Sequence, residues 1–136
     1  MAHDPSRPLR PRGPLRVLVA DDDEVLRSLV ASVLRDEGHE VMEASNGREL
    51  FWAFETSCYG TPIDVVVSDL CMPAYDGLEV AEAWADRGDG PRVVLMSAYP
   101  DADARRRAEA LGLVLLDKPF DLEALQRMVR SYGREA

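Results

Sequence analysis

Five short apolar runs alternate with five helical patterns, and this alternation constrains the fold more than any other feature of the sequence. The runs are residues 15–20, 39–44, 63–68, 91–97 and 113–116. They are nearly continuous rather than alternately apolar and polar, which predicts parallel strands that are buried on both faces of a sheet. Right-handed crossovers between such strands predict an α/β fold with an open, doubly wound parallel sheet.

The helical patterns fill the segments between the runs. They are residues 24–38, 46–56, 78–88, 101–112 and 121–132. In the first helix Val25, Leu29, Val33 and Leu34 lie on one stripe, which we expect to face the sheet, and Gly38 is expected to end the helix.

Composition restricts the class of protein. The 136 residues suit one domain, and a net charge of −9 argues against nucleic-acid binding because phosphate backbones attract clustered Lys and Arg. No apolar run approaches the roughly 18–20 residues of a membrane span, and residues 1–14 contain no signal-peptide segment, so we expect a cytoplasmic location and no membrane partner. Cys58 and Cys71 match no metal-ligand spacing and are expected to be reduced thiols.

Three regions are predicted along the chain. Residues 1–14 carry four prolines at a spacing of three with arginines between them, which is typical of a Pro/Arg-rich flexible tail. Residues 15–132 contain the alternating pattern and are expected to form the folded domain. Residues 133–136 are expected to be a C-terminal tail.

Charged and hydroxyl side chains follow four of the five predicted strands. They are Asp21, Asp22 and Asp23 after the first strand, Asp69 after the third, Ser97 at the end of the fourth and Lys118 just past the fifth. Because the carboxyl ends of parallel strands meet at one edge of a sheet, we expect these groups to converge on one crevice. Carboxylates held close together stay ionised only with a cation between them, and hard oxygen ligands favour Mg²⁺ over zinc.

The same crevice is suited to a phosphoryl group. The ammonium of Lys118 and the hydroxyl of Ser97 are donors for phosphoryl oxygens. Pro119 favours an extended conformation at Lys118 and permits a cis peptide bond. A carboxylate nucleophile, Mg²⁺, a lysine and a hydroxyl together predict phosphoryl transfer to aspartate. Asp23 and Glu24 are expected to be helix-start charges, since Asp is a favoured N-cap.

Residues from about 15 to 132 resemble the receiver domain of bacterial two-component response regulators. Four segments carry the resemblance in order, namely VLVADDDEVLR, VVVSDLCMPAYDG, VVLMSAY and LLDKPF. Their separations also match, with 28 residues from Asp69 to Ser97 and 21 from Ser97 to Lys118. The resemblance implies a flavodoxin-like (βα)5 fold with strand order 2-1-3-4-5. It also implies a phosphorelay switch that catalyses only its own phosphorylation and dephosphorylation.

Roles for individual residues follow from the resemblance. Asp69 would be the phosphoacceptor and a Mg²⁺ ligand, and Asp22 would bind Mg²⁺ directly. Asp21 would bind the ion directly or through water, and Cys71 would contribute its backbone carbonyl. Ser97 and Lys118 would hold the phosphoryl oxygens.

The loop after Asp69 and the fifth strand also receive roles from the resemblance. Asp76 and Gly77 would shape the turn that follows the acceptor. Many family members carry an aromatic residue on the fifth strand that follows the movement of the hydroxyl residue. Leu115 holds that position here, so this sequence has no aromatic residue where family members use one to follow that movement.

Two other functions fit parts of the sequence. A haloacid-dehalogenase-like phosphatase would use Asp21 as nucleophile and Asp23 as acid/base, but it needs a further acidic pair after Lys118 and gives SDLCMPAYDG no role. A pseudo-receiver would act through protein contact without phosphorylation, which the complete set of site residues disfavours.

The predicted partners are a sensor histidine kinase or a phosphotransfer protein. Arg105, Arg106 and Arg107 most simply form a solvated face of the fourth helix. A sharper hypothesis makes them, with Arg127 and Arg130, part of a homodimer surface formed by the fourth helix, fifth strand and fifth helix. The aromatic residues Phe51, Trp52, Phe54 and Trp84 are expected to be core or helix-packing residues.

Overall fold

Five parallel strands form one sheet, with helices on both faces. The computed structural model describes residues 14–57, 60–73, 75–86 and 90–133. The strands are β1 (Arg16–Ala20), β2 (Glu40–Ala44), β3 (Val65–Asp69), β4 (Cys71–Met72), β5 (Tyr75–Asp76), β6 (Arg92–Ser97) and β7 (Val114–Asp117). The helices are α1 (Glu24–Asp36), α2 (Gly47–Ser57), α3 (Gly77–Ala85), α4 (Ala102–Ala110) and α5 (Leu122–Tyr132). Residues 1–13, 58–59, 74, 87–89 and 134–136, which include Cys58 and nearly all of both predicted tails, lie outside the described residues.

The sheet order is β2-β1-β3-β6-β7, with all four pairings parallel. Counted along the chain without the two short strands, this is the predicted order 2-1-3-4-5. The short strands β4 and β5, which were not predicted, pair with each other in an antiparallel hairpin after β3. They lie within a segment that the sequence predicts only as a loop.

The three central strands are covered on both faces. Every residue of β3 is buried, and four residues each of β1 and β6 are buried. Alternate residues point to opposite sides, so that Leu18 and Val66 join one core cluster and Val19, Val67 and Val94 join the other. The first cluster lies under α2, α3 and α4, and the second under α1 and α5. This double burial explains the continuous apolar runs in the sequence.

Aspartates begin four of the helices. The side chains of Asp23, Asp76, Asp101 and Asp121 accept hydrogen bonds from backbone N–H groups in the first turns of α1, α3, α4 and α5. Such caps satisfy donors that have no partner within the helix. Gly38 follows the end of α1 with φ +93°, a conformation that favours glycine, as its predicted role requires.

The predicted inward stripe of α1 is wrong in part. Leu34 is buried and Val33 is half-buried, but Val25 is 79% exposed and Leu29 is 47% exposed. The buried face is formed instead by Val30, Ala31 and Leu34. Apolar residues therefore extend beyond the face that the sheet covers, toward the end of the helix near Asp22.

The prediction for the aromatic residues is also wrong in part. Phe54 and Trp84 are buried and stack with their ring centroids 4.2 Å apart. Phe51 and Trp52, however, are 52% and 70% exposed. Leu50 and Phe54, which are four residues apart, occupy the face of α2 that meets the sheet, so Phe51 and Trp52 point away from it. No helix among the described residues is long and apolar enough to cross a membrane.

A buried histidine lies at the end of the sheet opposite the charged strand tips. His39 is 8% exposed, and its Nδ1 accepts a hydrogen bond from the backbone N–H of Leu15 at 3.1 Å. Nδ1 must therefore carry no proton. Burial lowers the pKa of His39, the charge of Glu37 partly opposes this, and Arg130 lowers it further.

We expect the protein to lose stability below about pH 6.5 through this histidine. Because the folded-state pKa lies below the unfolded value, the unfolded chain takes up the proton first as the pH falls. The slope from one such group is at most about 1.4 kcal/mol per pH unit. Denaturant unfolding at pH 7.5 and 5.5 should show a smaller loss in His39→Asn, whose amide oxygen replaces Nδ1 as acceptor. An equal loss in both proteins would contradict this origin.

Candidate functional site

The ends of β1 and β3 bring three aspartates together. The strands pair with Ala20 opposite Ser68, so Asp21 and Asp69 follow on neighbouring strands. One carboxylate oxygen from each of Asp21, Asp22 and Asp69 lies within 4.8 Å of the others. Asp21 is completely buried, Asp69 is 9% exposed and Asp22 is exposed. The predicted convergence of these side chains is confirmed by this geometry.

Lys118 reaches the same cluster from the end of β7. Its Nζ lies 2.9 Å from Oδ2 of Asp21 and 3.4 Å from Oδ2 of Asp69. Lys118 is the only lysine in the sequence, and its side chain is 19% exposed. The peptide bond to Pro119 is cis, as the sequence permits. One ammonium therefore bridges two largely buried carboxylates.

The electrostatics of the cluster favour a further cation. Burial raises the pKa of Asp69, even though the Cys71 N–H and the Lys118 ammonium favour its charged form. Burial alone would lower the pKa of Lys118, but the hydrogen bond to Asp21 and the charges of Asp69 and Asp21 raise it above its ordinary value. The ammonium is thus firmly charged, while the Asp69 carboxylate is still incompletely stabilised.

The acidic residues beside the cluster have different roles. Asp23 caps α1, since its Oδ1 accepts from the N–H groups of Val25 and Leu26 at 3.1 and 3.2 Å. The Asp23 N–H in turn donates to Oδ1 of Asp21 at 2.9 Å. Asp23 is therefore a helix-start residue, as predicted, and its carboxylate is occupied away from an acid/base role.

Ser97 and Cys71 lie beside the acceptor strand. Ser97 ends β6, the strand next to β3, and its Oγ accepts from the Tyr99 N–H at 3.3 Å. The Cys71 N–H donates to Oδ1 of Asp69 at 3.2 Å, which holds the carboxylate above the loop. The thiol of Cys71 is free and exposed. The metal-ligand role of its carbonyl and the phosphoryl contact of Ser97 stay predictions.

The turn after Asp69 is tightly closed. The Gly77 N–H donates to the carbonyl of Leu70 at 2.7 Å, and a Cβ on Gly77 would lie 2.8 Å from that oxygen. Asp76 caps α3, and Met72 is buried in the core. Asp76 and Gly77 thus shape the turn as expected.

Arg27 is a site residue that the sequence reasoning missed. Its guanidinium donates to the backbone carbonyl of Asp21 at 3.0 Å and to Oε1 of Glu43 at 3.2 Å. It therefore ties the start of the acidic cluster to the edge strand β2. The available signal was its position one turn after DDDE, but an arginine on a helix usually indicates a solvated face.

The donor set fits Mg²⁺. It consists of carboxylate oxygens from three aspartates, and the exposed position of Asp22 leaves room for water ligands. Mg²⁺ prefers such oxygens and keeps several waters, whereas structural zinc sites use sulfur and nitrogen ligands. A dication would also supply the positive charge that the Asp69 carboxylate lacks.

Comparisons with known proteins identify relatives of this chain. The chain is 30% identical over 118 residues to sporulation initiation phosphotransferase F of Bacillus subtilis, covering 86% of this chain and 92% of that protein. It is 36% identical over 114 residues to the transcriptional regulatory protein PdtaR of Mycobacterium tuberculosis, covering 82% of this chain but only 53% of PdtaR. The chain thus spans nearly all of one relative and about half of the other.

Solved structures show the same fold. The chemotaxis protein CheY4 of Vibrio cholerae has 27% identity and a TM-score of 0.72, with 88% of this chain and 99% of CheY4 covered. The receiver domain of a putative Luxo repressor from Vibrio parahaemolyticus has a TM-score of 0.78 at 21% identity, with 88% and 90% covered, and supports the fold alone. A family model described as the response regulator receiver domain matches residues 17–130. The chain therefore belongs to the receiver domains of response regulators.

Proposed function

We propose that Asp69 accepts a phosphoryl group in a Mg²⁺-dependent reaction and that the chain acts as a switch. Receiver domains are regulatory signalling domains that interact with histidine kinases or phosphotransfer proteins and bind Mg²⁺ through an acidic pocket. The observation that carries the proposal is the convergence of Asp21, Asp22 and Asp69 with Lys118 bonded to two of them. The unit with this function is residues 15–132.

The chemistry assigns a task to each side chain. An oxygen of Asp69 attacks phosphorus, the P–N bond of a phosphohistidine breaks, and a P–O bond to Asp69 forms. Lys118 stabilises the charge on the phosphoryl oxygens, and the hydroxyl of Ser97 donates to one of them. Asp22, Asp21, Asp69 and the Cys71 carbonyl would hold Mg²⁺, which when bound neutralises phosphoryl charge. Attack by water later releases phosphate and restores the carboxylate.

The phosphatase alternative is disfavoured by the geometry. Its acid/base would be Asp23, whose carboxylate caps α1. The segment after Lys118 that would need to supply a further acidic strand contains α5 instead. We therefore propose that the chain turns over no external substrate other than the small donors that phosphorylate Asp69.

Intact-mass measurement after incubation with acetyl phosphate and Mg²⁺ tests the proposal. We expect the mass of one phosphoryl group to be added, and we expect a chelator to prevent the addition. The adduct should be cleaved by hydroxylamine, as an acyl phosphate is. No adduct with acetyl phosphate or any other small donor would favour the pseudo-receiver and remove the proposed function.

The exposed apolar residues of α1 mark a docking surface for the histidine donor. Val25 and Leu29 are 79% and 47% exposed on the helix that begins directly after Asp22 and Asp23. A partner must place its phosphohistidine beside Asp69, so it must contact the start of α1. We expect Leu29→Asp to slow phosphotransfer from a histidine kinase at least about tenfold, because a buried interface charge costs more than about 1.4 kcal/mol.

The small-donor reaction separates docking from chemistry. Leu29→Asp should react with acetyl phosphate at the wild-type rate, since its side chain lies outside the acidic cluster. Trp52→Asp is a matched control, because Trp52 is an exposed apolar residue on a different helix. Equal slowing by both variants, or slowing of the acetyl phosphate reaction, would contradict a docking role for α1.

The homodimer surface formed by α4, β7 and α5 stays a prediction. The arginines of this surface pair with carboxylates of their own chain, namely Arg105 with Asp117, Arg106 with Asp103, Arg107 with Glu82, Arg127 with Glu123 and Arg130 with Glu37. Those pairs in which both side chains are exposed contribute only about 0–1 kcal/mol, so their arginines are available to carboxylates of another chain. Charge reversal at Arg105–Arg107 that left self-association and partner binding unchanged would remove this surface. We propose no direct nucleic-acid binding by this chain.

A further inference from the structure

Tyr75 is connected to the acceptor strand by hydrogen bonds. The Ser68 hydroxyl donates to the backbone carbonyl of Asp69 at 2.9 Å. The Tyr75 hydroxyl lies 3.1 Å from the same Ser68 oxygen. Serine has only one hydroxyl hydrogen, so the tyrosine must be the donor. Burial raises the pKa of Tyr75 to about 12, and the phenol therefore keeps its proton at neutral pH.

The ring of Tyr75 rests on the first residue of α2. A Cβ built on Gly47 would lie 2.6 Å from both Cβ and Cδ1 of Tyr75, so no other residue fits at position 47 without moving the ring. Tyr75 also lines a groove of about 510 Å³ between α2 and α3. The remaining walls of this groove include Asn46, Phe51, Pro73, Glu79 and Val80. One side chain thus contacts both the acceptor strand and the α2–α3 groove.

Strand β7, the fifth strand of the sheet along the chain, contains no aromatic residue that could connect the acceptor strand to other elements. Leu115 on β7 is a half-buried aliphatic residue that packs against the core cluster containing Ala104 and Ala108. We propose that Tyr75 is a positioning residue that carries a change at Asp69 to the start of α2 and the α2–α3 groove. The inference rests on the proposed phosphorylation of Asp69.

The physical basis is a short path of close contacts. An acyl phosphate at Asp69 carries more negative charge and more acceptor oxygens than the carboxylate, so the strand end and the following loop readjust. The Ser68 hydroxyl follows the Asp69 carbonyl, and the Tyr75 hydroxyl follows Ser68. Because the ring contacts Gly47 with no intervening space, a displacement of the ring moves the beginning of α2.

NMR of the full chain with and without acetyl phosphate and Mg²⁺ tests the relay. The readout is the backbone amide signal of Gly47, with the amide of Gly38 at the opposite end of the sheet as an internal reference. In the wild type we expect phosphorylation to shift the Gly47 signal and to leave Gly38 nearly unchanged. In Tyr75→Phe, which keeps the ring, and in Ser68→Ala, we expect the Gly47 shift to fall by at least half at an equal phosphorylated fraction, measured by intact mass.

The outcomes separate the relay from the proposed function. An unchanged Gly47 shift in both variants, at equal phosphorylation, would overturn the relay and leave the phosphoacceptor role intact. A wild-type Gly47 signal that does not respond to full phosphorylation would do the same. Failure of the wild type to form any adduct would overturn both proposals.

Discussion

Asp69→Asn is expected to abolish the phosphoryl adduct while preserving the fold. A carboxamide has the shape of the carboxylate but is not a nucleophile. We propose Asp69 as the acceptor because it is 9% exposed, whereas Asp21, the other aspartate bonded to Lys118, is completely buried. Because burial raises the pKa of Asp69, its charged form costs stability at neutral pH without a bound ion. The variant should therefore be at least as stable as the wild type in the presence of a chelator. Intact mass and denaturant unfolding measure the two effects.

Asp23→Asn is the matched control for this substitution. It removes a charge of the same kind only two residues from Asp21, but asparagine caps helices about as well as aspartate. The adduct should therefore form at nearly the wild-type rate. A phosphoryl adduct on Asp69→Asn at the wild-type level, or loss of the adduct in Asp23→Asn, would contradict the assignment of the acceptor.

Lys118→Met is expected to slow phosphorylation by about 10²–10³-fold, the usual effect of removing one donor to a developing oxyanion. The Lys118 ammonium also competes with a metal ion for Asp21 and Asp69, because it bonds to both. Its removal should therefore tighten Mg²⁺ binding several-fold, although the reaction becomes slower. Rates from intact mass and Mg²⁺ titration by calorimetry would show these opposite changes.

Stability gives a third readout for Lys118→Met. In Lys118→Met and without Mg²⁺, the aspartates of the cluster have no cation bonded to them. We expect a loss of about 1–3 kcal/mol in chelator, less than the about 3–5 kcal/mol typical of fully buried pairs, because 19% of the lysine side chain is exposed. Mg²⁺ should restore most of this loss.

Lys118→Arg tests whether charge alone is sufficient. Arginine keeps the positive charge but replaces a compact ammonium with a wide planar group. We expect slow phosphorylation with smaller changes in stability than in Lys118→Met. Wild-type rates in both variants would show that Lys118 does not contact the phosphoryl group.

The fold could be predicted because each central strand is buried on both faces and so appears as a continuous apolar run. The edge strand β2 is only half-covered, but it could still be predicted because it lies between two helical patterns in the sequence. The hairpin of Cys71–Met72 and Tyr75–Asp76 was missed because two-residue strands leave no periodic pattern. Predicted helix ends agree with the observed ones to within three residues, a difference usual for helix termini.

The orientation of helices was harder to predict than their existence. In α1 the apolar positions Val25, Leu29, Val30 and Leu34 form a band wider than the sheet can cover, and the sequence does not show which edge of the band stays exposed. The same limit applies to Phe51 and Trp52 on α2. In both cases the residues wrongly predicted to be buried are apolar side chains that the packing of the folded chain leaves exposed.

The site was predictable to the extent that parallel strands align their ends. Asp21, Asp22, Asp69 and Lys118 were found because each lies within two residues of the end of a recognisable strand. The contacts of Arg27 on α1 and of Tyr75 on β5 were not found, because these side chains reach the strand ends through the fold and no sequence spacing marks them.

The most direct test of the central claim is a crystal structure with Mn²⁺, which occupies Mg²⁺ sites and can be located by anomalous scattering. We predict one ion at the strand ends, with carboxylate oxygens of Asp22 and Asp69 in its coordination sphere and Asp21 bound directly or through water. The Nζ of Lys118 should move away from Asp69 to make room for the ion. An ion bound elsewhere, or no ion at saturating Mn²⁺, would contradict the account.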